Sequence, residues 1–186
     1  WFRALNDAAV KQNPRILVAK GAFLSVIGNF VDAKACLDSV ISSLNKNEKD
    51  LYFEAMLHKA RVLRNFVSFE ESNSLLDQLI AKIDNQACEL AYSVIIEKLY
   101  NLCWDSHINK AYSLARQMIE ACANAGNLKV MLWFERYLST IYFFAGSMKE
   151  AVYYYEKSLG IPIDELKYLG MHSTGIYAAK AYQMLG

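Results

Sequence analysis

Apolar and small residues recur along this chain at helical intervals, three or four positions apart, and short polar or glycine-containing stretches interrupt them. Between Arg15 and Ile27, for example, apolar side chains alternate with the small residues Ala19, Gly21 and Ala22, and Gly28 ends the segment. This period is typical of amphipathic helices, and the short interruptions are typical of tight turns. The pattern therefore predicts an all-α protein built from antiparallel helix pairs.

Four helix pairs and one last helix follow from this pattern. The pairs are predicted over about residues 14–45, 51–83, 87–125 and 128–159, and the last helix over 164–186, starting at Asp164 or Glu165. Residues 1–10 are interpreted as the end of a further helix. We expect one helical repeat domain over 1–186, taken from a larger protein because the chain does not begin with methionine.

The helix pairs repeat with a nearly constant period. A small residue early in each second helix falls at Ala33, Ser72, Ala111 and Ala151, in steps of 39, 39 and 40 residues. The turns inside the pairs fall at Gly28, Val67, Ser106, Gly146 and Gly186, with matching steps of 39, 39, 40 and 40. Seven residues before each turn stand Gly21, Ala60, Leu99, Ser139 and Ala179, and four of these five are small. A small residue there allows two helices to approach closely.

These signatures resemble tetratricopeptide-type repeats. The best matches are the stretches 28–33 and 145–151, where a turn glycine precedes an alanine by five residues. The third repeat departs most, because Leu99 takes the small position. The resemblance implies a right-handed superhelix, a TPR-like solenoid of about four repeats and a terminal helix. The period of 39–40 residues exceeds the 34 residues usual for this repeat.

The longer period also resembles the helical sensor region of MalT-type regulators, the ATP-dependent members of the LuxR family. The positions that carry this resemblance include Trp1, Leu5, the stretch 14–17, Ala22 and Leu37. In that family, other domains bind nucleotide and DNA. The resemblance therefore implies a sensing segment of a bacterial transcription regulator, with neither activity in this chain.

Charge and apolar runs limit the class of partner. Lys plus Arg total 20 and Asp plus Glu total 19, so the net charge of +1 gives no basis for direct nucleic acid contact. Charges interrupt every long apolar stretch, and we expect a cytoplasmic protein without membrane contact. The apolar ends of the fragment lead us to expect possible self-association.

Candidate chemistry is weak throughout the sequence. There is no phosphate-binding glycine loop or nucleophile elbow, and the three histidines lie in different repeats. Four separated cysteines show no metal-ligand spacing, and the Cys103/His107 pair spans a predicted turn. We therefore expect reduced, buried thiols, no cofactor, no metal and no enzyme activity. A helical enzyme with an unrecognised site is the less favoured alternative.

Polar and aromatic side chains fall on one stripe of the first helices, the stripe that faces inward in the tetratricopeptide register. A protein or peptide partner, or a small-molecule effector paired with an arginine, could bind on this concave face. The alternative is that the aromatic residues pack between neighbouring repeats, as we expect for the run 153–155. A docking scaffold unrelated to transcription is the alternative function. The predicted contact residues are Arg61, Arg64, Glu97, Tyr100, Trp104, Arg136, Tyr137, Thr140, Phe144, Tyr177 and Lys180.

Overall fold

The computed structural model describes residues 13–44, 48–82, 89–159 and 172–186. These residues form nine α-helices and no strand. None of the helices in these ranges is both long and apolar enough to cross a bilayer. The helices are α1 (Pro14–Val26), α2 (Phe30–Ser43), α3 (Lys49–Phe66), α4 (Phe69–Lys82), α5 (Glu89–Trp104), α6 (Ile108–Asn124), α7 (Leu128–Phe144), α8 (Met148–Lys157) and α9 (His172–Leu185).

The predicted all-α repeat fold is confirmed, with helix ends within a few residues of the predicted ones. Helix α3 starts two residues earlier than predicted, at Lys49. Helix α9 begins at His172, and the predicted start at Asp164 or Glu165 lies outside the described residues. The predicted leading segment, residues 1–10, also lies outside them.

The chain divides into two compact units, Trp1–Glu97 and Lys98–Gly186. In the first unit, α1 packs on α2 and α3, α2 packs on α3, and α3 packs on α4. In the second unit, α7 packs on α6, α8 and α9, and α8 packs on α9. Each unit thus contains the arrangement of a helical repeat, in which a helix pair is covered by the first helix of the next pair. That both units belong to one domain stays a prediction.

The small residues predicted to mark each repeat are completely buried. Ala33, Ser72, Ala111 and Ala151 each have 0% exposure. Ser72 is polar, and its hydroxyl donates a hydrogen bond of 2.7 Å to the Ala60 carbonyl oxygen of the paired helix. That bond satisfies the buried hydroxyl and fixes the distance between α3 and α4.

The small residue seven positions before the turn also allows close helix packing, as Gly21 on α1 shows. A Cβ atom at Gly21 would lie 2.7 Å from Cγ of Leu37, which is itself fully buried in α2. Any larger residue at this helix crossing would therefore have to displace the Leu37 side chain. In α9 the corresponding Ala179 is exposed, so the small position exists there without a helix packed on it in the described part of the chain.

The turns inside the four pairs share one backbone hydrogen bond. In each, the amide after the turn position donates to the carbonyl five residues earlier, as in a Schellman cap. Gly28, Ser106 and Gly146 have left-handed φ angles of 79°, 59° and 78°, whereas Val67 has a φ of −118°. The bonds are Asn29 to Leu24 (2.9 Å), Ser68 to Leu63 (3.0 Å), His107 to Leu102 (2.8 Å) and Ser147 to Tyr142 (2.9 Å).

Candidate functional site

The predicted contact residues fall into separate groups in the two units. Arg61, Arg64 and Glu97 lie together in the first unit, and we call them the arginine cluster. In the second unit, Tyr100, Trp104, Phe144 and Tyr177 join Phe143 in a group of ring contacts, which we call the aromatic cluster. The remaining residues are single positions. On α7 the side chains of Arg136, Tyr137 and Thr140 are buried, and on α9 Lys180 is exposed.

In the arginine cluster, one carboxylate is shared by two guanidinium groups. Arg61 Nε lies 2.8 Å from Glu97 Oε2, and Arg64 Nη1 donates to Glu97 Oε1. Both arginines come from the last turns of α3 and reach Glu97 on α5, one repeat later. The Glu97 side chain is only 10% exposed, against 26% for Arg61. The cluster carries a net positive charge, because two cations share one anion.

His58 lies beside this cluster and stays neutral. Burial, with the nearby charge of Arg61, lowers the pKa of His58 from 6.5 to about 4, although Glu97 acts in the opposite direction. A neutral imidazole next to a guanidinium avoids the repulsion that a second cation would add. His58 is therefore a packed side chain near neutral pH rather than a charged binding group.

The aromatic cluster holds a half-exposed tryptophan. Trp104 is 48% exposed, and its ring centroid lies 5.2 Å from that of Phe144 in an edge-to-face contact and 6.0 Å from that of Tyr100. Phe144 also contacts Tyr177 and Phe143, with centroids 5.1 Å and 5.8 Å away. Trp104 is thus held on one side by packed rings while its other side faces solvent.

Tyr177 closes the aromatic cluster from α9. It is 7% exposed, and its ring centroid lies 5.1 Å from that of Phe143. Burial, together with hydrogen bonding to Tyr100, raises the pKa of Tyr177. The phenol therefore stays protonated and acts as a hydrogen-bonding support for the cluster rather than as an acid or base.

Tyr137 and Thr140, both predicted as contact residues, are interior. Tyr137 is 2% exposed and Thr140 is 0% exposed, so in this structure neither lies on a surface that a partner could touch. Their burial follows from their helix, since α7 packs on three other helices of its unit. The sequence pattern placed them on an open inward stripe, and helix packing closes that stripe here. Our proposed contact surface therefore omits both.

Arg136 is also interior, with 7% exposure. Its guanidinium carbon lies 5.5 Å from the centre of the Tyr155 ring on α8. The run 153–155 therefore splits: Tyr155 faces Arg136, Tyr154 stacks on Tyr142 at 5.3 Å, and Tyr153 is 59% exposed. The expectation that this run packs on the following repeat does not describe Tyr153 or Tyr154.

The thiols of the described cysteines are poor nucleophiles. Burial raises the pKa of Cys103 to about 12, and it also raises the pKa of Cys36 and Cys122. The imidazole of His107, in the candidate pair with Cys103, lies instead 3.5 Å from a carboxylate oxygen of Asp105. Cys88 and the His172 side chain lie outside the described residues. Within the described ranges, no three His, Cys, Asp or Glu side chains are placed to hold a metal ion.

A third feature, a tyrosine–arginine contact on α6, is not among the sequence-based predictions. Arg116 Nε donates a hydrogen bond of 2.9 Å to the hydroxyl of Tyr112, and the ring of Tyr112 lies 5.9 Å from that of Tyr142. Hydrogen bonds from Tyr142 and Arg116 lower the pKa of Tyr112. The spacing of four residues between Tyr112 and Arg116 was the available signal.

Comparison with known proteins supports the fold. No protein-family model matches the chain, and no curated protein matches it. A solved structure described as a Podosopora anserina putative kinesin light chain with nearly identical TPR-like repeats matches with a TM-score of 0.62 at 18% identity. That match covers 92% of this chain and 87% of the other, and a point variant of the same protein matches over 94% and 87%. The chain therefore has a TPR-like helical repeat fold.

Proposed function

We propose that this chain is a non-catalytic docking domain that binds a protein or peptide partner through the aromatic cluster of its second unit. The fold supports a docking role, since stacked helix pairs present extended binding surfaces. The observation that carries the proposal is the half-exposed Trp104, 48% exposed and held against Phe144 and Tyr100. Tryptophan is among the residues that contribute most to protein interfaces.

The packing around Trp104 lowers the entropic cost of binding. Phe144 is fixed by Phe143 and Tyr177, with ring centroids 5.8 Å and 5.1 Å away. A side chain that is already ordered loses less conformational freedom when a partner arrives. The free face of Trp104 can then bury apolar surface of the partner, while its indole N–H is already hydrogen-bonded to Tyr177.

The arginine cluster is a second proposed contact, for acidic side chains of a partner. Its net charge is positive, and Arg61 retains 26% side-chain exposure. Because Glu97 already binds both arginines, the net attraction for an added carboxylate is smaller than two free guanidinium groups would give. Lys180, exposed on α9, remains a proposed contact on the same grounds of charge and access.

The docking proposal is tested with a displayed library of random twelve-residue peptides selected on the purified chain. Trp104→Ala should weaken the selected peptides by about 30-fold, which corresponds to the loss of one interface hot spot. The matched control is Tyr153→Ala, which removes another exposed aromatic residue outside the cluster. Circular dichroism should show unchanged helix content in both variants.

Two outcomes would contradict this proposal. One is a set of selected peptides whose affinity is unchanged by Trp104→Ala. The other is equal weakening by Tyr153→Ala, which would indicate that any exposed ring serves and that the cluster has no special role.

A sensing role in a bacterial transcription regulator, acting in the cytoplasm, is the second candidate. The period of 39–40 residues supports it, whereas the matching structures are described with TPR-like repeats and not as regulators. The complete gene product provides the test: an ATPase module before the chain and a helix-turn-helix after it would support this role. Other modules in these places would contradict the regulator role, and the general docking role would remain.

A further inference from the structure

One position of the repeat carries an arginine where every other repeat carries an aliphatic residue. Ten residues before the turns stand Val18, Leu57, Ile96, Arg136 and Ile176. The first three are buried, with exposures of 1%, 4% and 4%, and Arg136 is also buried, with 7%. Ile176, in the last helix, is 57% exposed. Arg136 therefore occupies a core position that the fold fills elsewhere with apolar side chains.

The environment of Arg136 leaves its charge largely uncompensated. Among the described residues, no carboxylate forms an ion pair with Arg136, and its Nε has no hydrogen-bond partner there. The ring of Tyr155, 5.5 Å from the guanidinium carbon, offers only a cation–π contact. A buried guanidinium cannot lose its proton as a lysine can, so an anion is the group that would stabilise it.

Further hydrogen-bond donors share the helix face of Arg136. Trp133 and Thr140 lie three residues before and four residues after it on α7, spacings that place side chains on one face. Both are buried, with exposures of 1% and 0%, and Trp133 Nε1 and Thr140 Oγ1 have no hydrogen-bond partner in the described chain. An indole N–H only donates, and a threonine hydroxyl can donate. Within the described ranges, this face of α7 therefore offers donors and a positive charge, and no carboxylate.

We propose that Trp133, Arg136 and Thr140 form an internal binding site for a small oxyanion, a carboxylate or phosphate group. Burial of all three side chains restricts the ligand to a small ion or to a short acidic group that enters the second unit. The proposed site uses none of the residues of the aromatic cluster, and it can exist whether or not that cluster binds a partner.

The proposal is tested by thermal unfolding of the whole chain with added phosphate or acetate, with chloride at equal ionic strength as reference. A bound anion at ten times its dissociation constant should raise Tm by about 3–6 °C, and comparison of the two anions distinguishes phosphate from carboxylate recognition. The variant Arg136→Leu carries leucine, the residue that the second repeat has at this position. In chloride alone its Tm should be higher than that of the wild type. Neither phosphate nor acetate should change the Tm of this variant.

Arg116→Leu is the matched control, because it removes a largely exposed arginine of the same unit and should keep the anion response. The conservative variant Arg136→Lys keeps the charge but loses the planar guanidinium, and its response should be reduced rather than absent. Equal responses in the wild type and Arg136→Leu would overturn the proposal. So would a wild-type Tm that neither anion raises above the chloride reference.

An internal counterion is the main rival. This explanation requires a carboxylate from Asp164 or Glu165, which lie outside the described residues. The double variant Asp164→Asn/Glu165→Gln separates the two explanations. If the oxyanion is external, this variant should retain the wild-type response to phosphate or acetate. If it loses stability in chloride and regains it when the anion is added, the carboxylate belongs to the chain and the proposal is wrong.

Discussion

Each unit carries arginines on the first helix of a helix pair, α3 in the first unit and α7 in the second, and their surroundings differ. In the first unit, Arg61 and Arg64 both bind Glu97, and the neutral His58 lies beside them. In the second unit, Arg136 is buried, as are three of the four aliphatic residues at its repeat position, and it faces the Tyr155 ring. In the first arrangement both guanidinium groups have a carboxylate partner within the chain, so these arginines mainly join consecutive repeats. The second leaves a charge to be satisfied, which is more typical of a binding site.

The largest expected effect comes from removing the shared anion of the first unit. Glu97→Gln keeps the side-chain size but leaves two partly buried guanidinium groups without a counterion. We expect the free energy of unfolding to fall by about 2–3 kcal/mol, less than for a fully buried pair because Arg61 is partly exposed. Urea denaturation measures this change.

The matched control for Glu97→Gln is Glu135→Gln. Glu135 pairs with Lys157 at 2.9 Å, and that lysine is 44% exposed. Its loss should cost less than about 1 kcal/mol, as for other exposed pairs. Equal costs for both variants would mean that the arginine cluster is no more than a surface ion pair, and the contrast between the units would fail.

A smaller effect is expected from acid, through His58. Its pKa is about 4 in the folded chain and 6.5 ordinarily, so the unfolded chain takes up a proton first as the pH falls. Stability is therefore complete above pH 6.5 and decreases between pH 6.5 and 4, by about 2 kcal/mol from pH 7 to pH 5.

Denaturation at a series of pH values checks this prediction, with His58→Gln as the comparison. The variant lacks the imidazole, so its stability should change less over the same range. Identical pH profiles would show that His58 is not held neutral by burial and by Arg61. The pH dependence would then have to arise from other groups in the first unit.

The smallest effect is expected at the turns. Gly28 in the first unit and Ser106 in the second both have left-handed φ angles, 79° and 59°. A non-glycine residue is strained there, so Ser106→Gly should stabilise the chain by about 0.5–1 kcal/mol. Thermal unfolding measures the gain, and Ser147→Gly, at a turn residue without a positive φ, is the control that should give no gain. A loss of stability in Ser106→Gly would show that the serine side chain contributes contacts that outweigh the strain.

The sequence predicted the fold well because the repeat depends on local features. The small residues Ala33, Ser72, Ala111 and Ala151 are needed wherever two helices cross, and their spacing is visible without a structure. Helix ends could be placed for the same reason, since turns depend on residues close together in the chain.

The candidate site was predicted less completely because it depends on contacts between repeats. The bond between Arg61 and Glu97 joins residues 36 positions apart, and no periodic pattern indicates which side chains will pair. Burial of Tyr137 and Thr140 depends on how closely α7 is covered by other helices, which a helical stripe does not reveal. By contrast, the sequence shows that Arg136 replaces the aliphatic residue found ten positions before the other turns. Only the structure shows that the side chain at this position is buried.

The hydrogen bond that closes each turn uses backbone atoms alone, and this affects how such repeats can diverge. Glycine, valine and serine all occupy the turn position while the same amide-to-carbonyl bond forms. Mutations can therefore replace most turn residues without loss of the architecture, so related chains can drift until few positions remain in common. An identity of 18% alongside a TM-score of 0.62 shows that one fold forms in two chains with few residues in common. Distant members of this architecture are then better sought by the spacing of small residues than by residue identity.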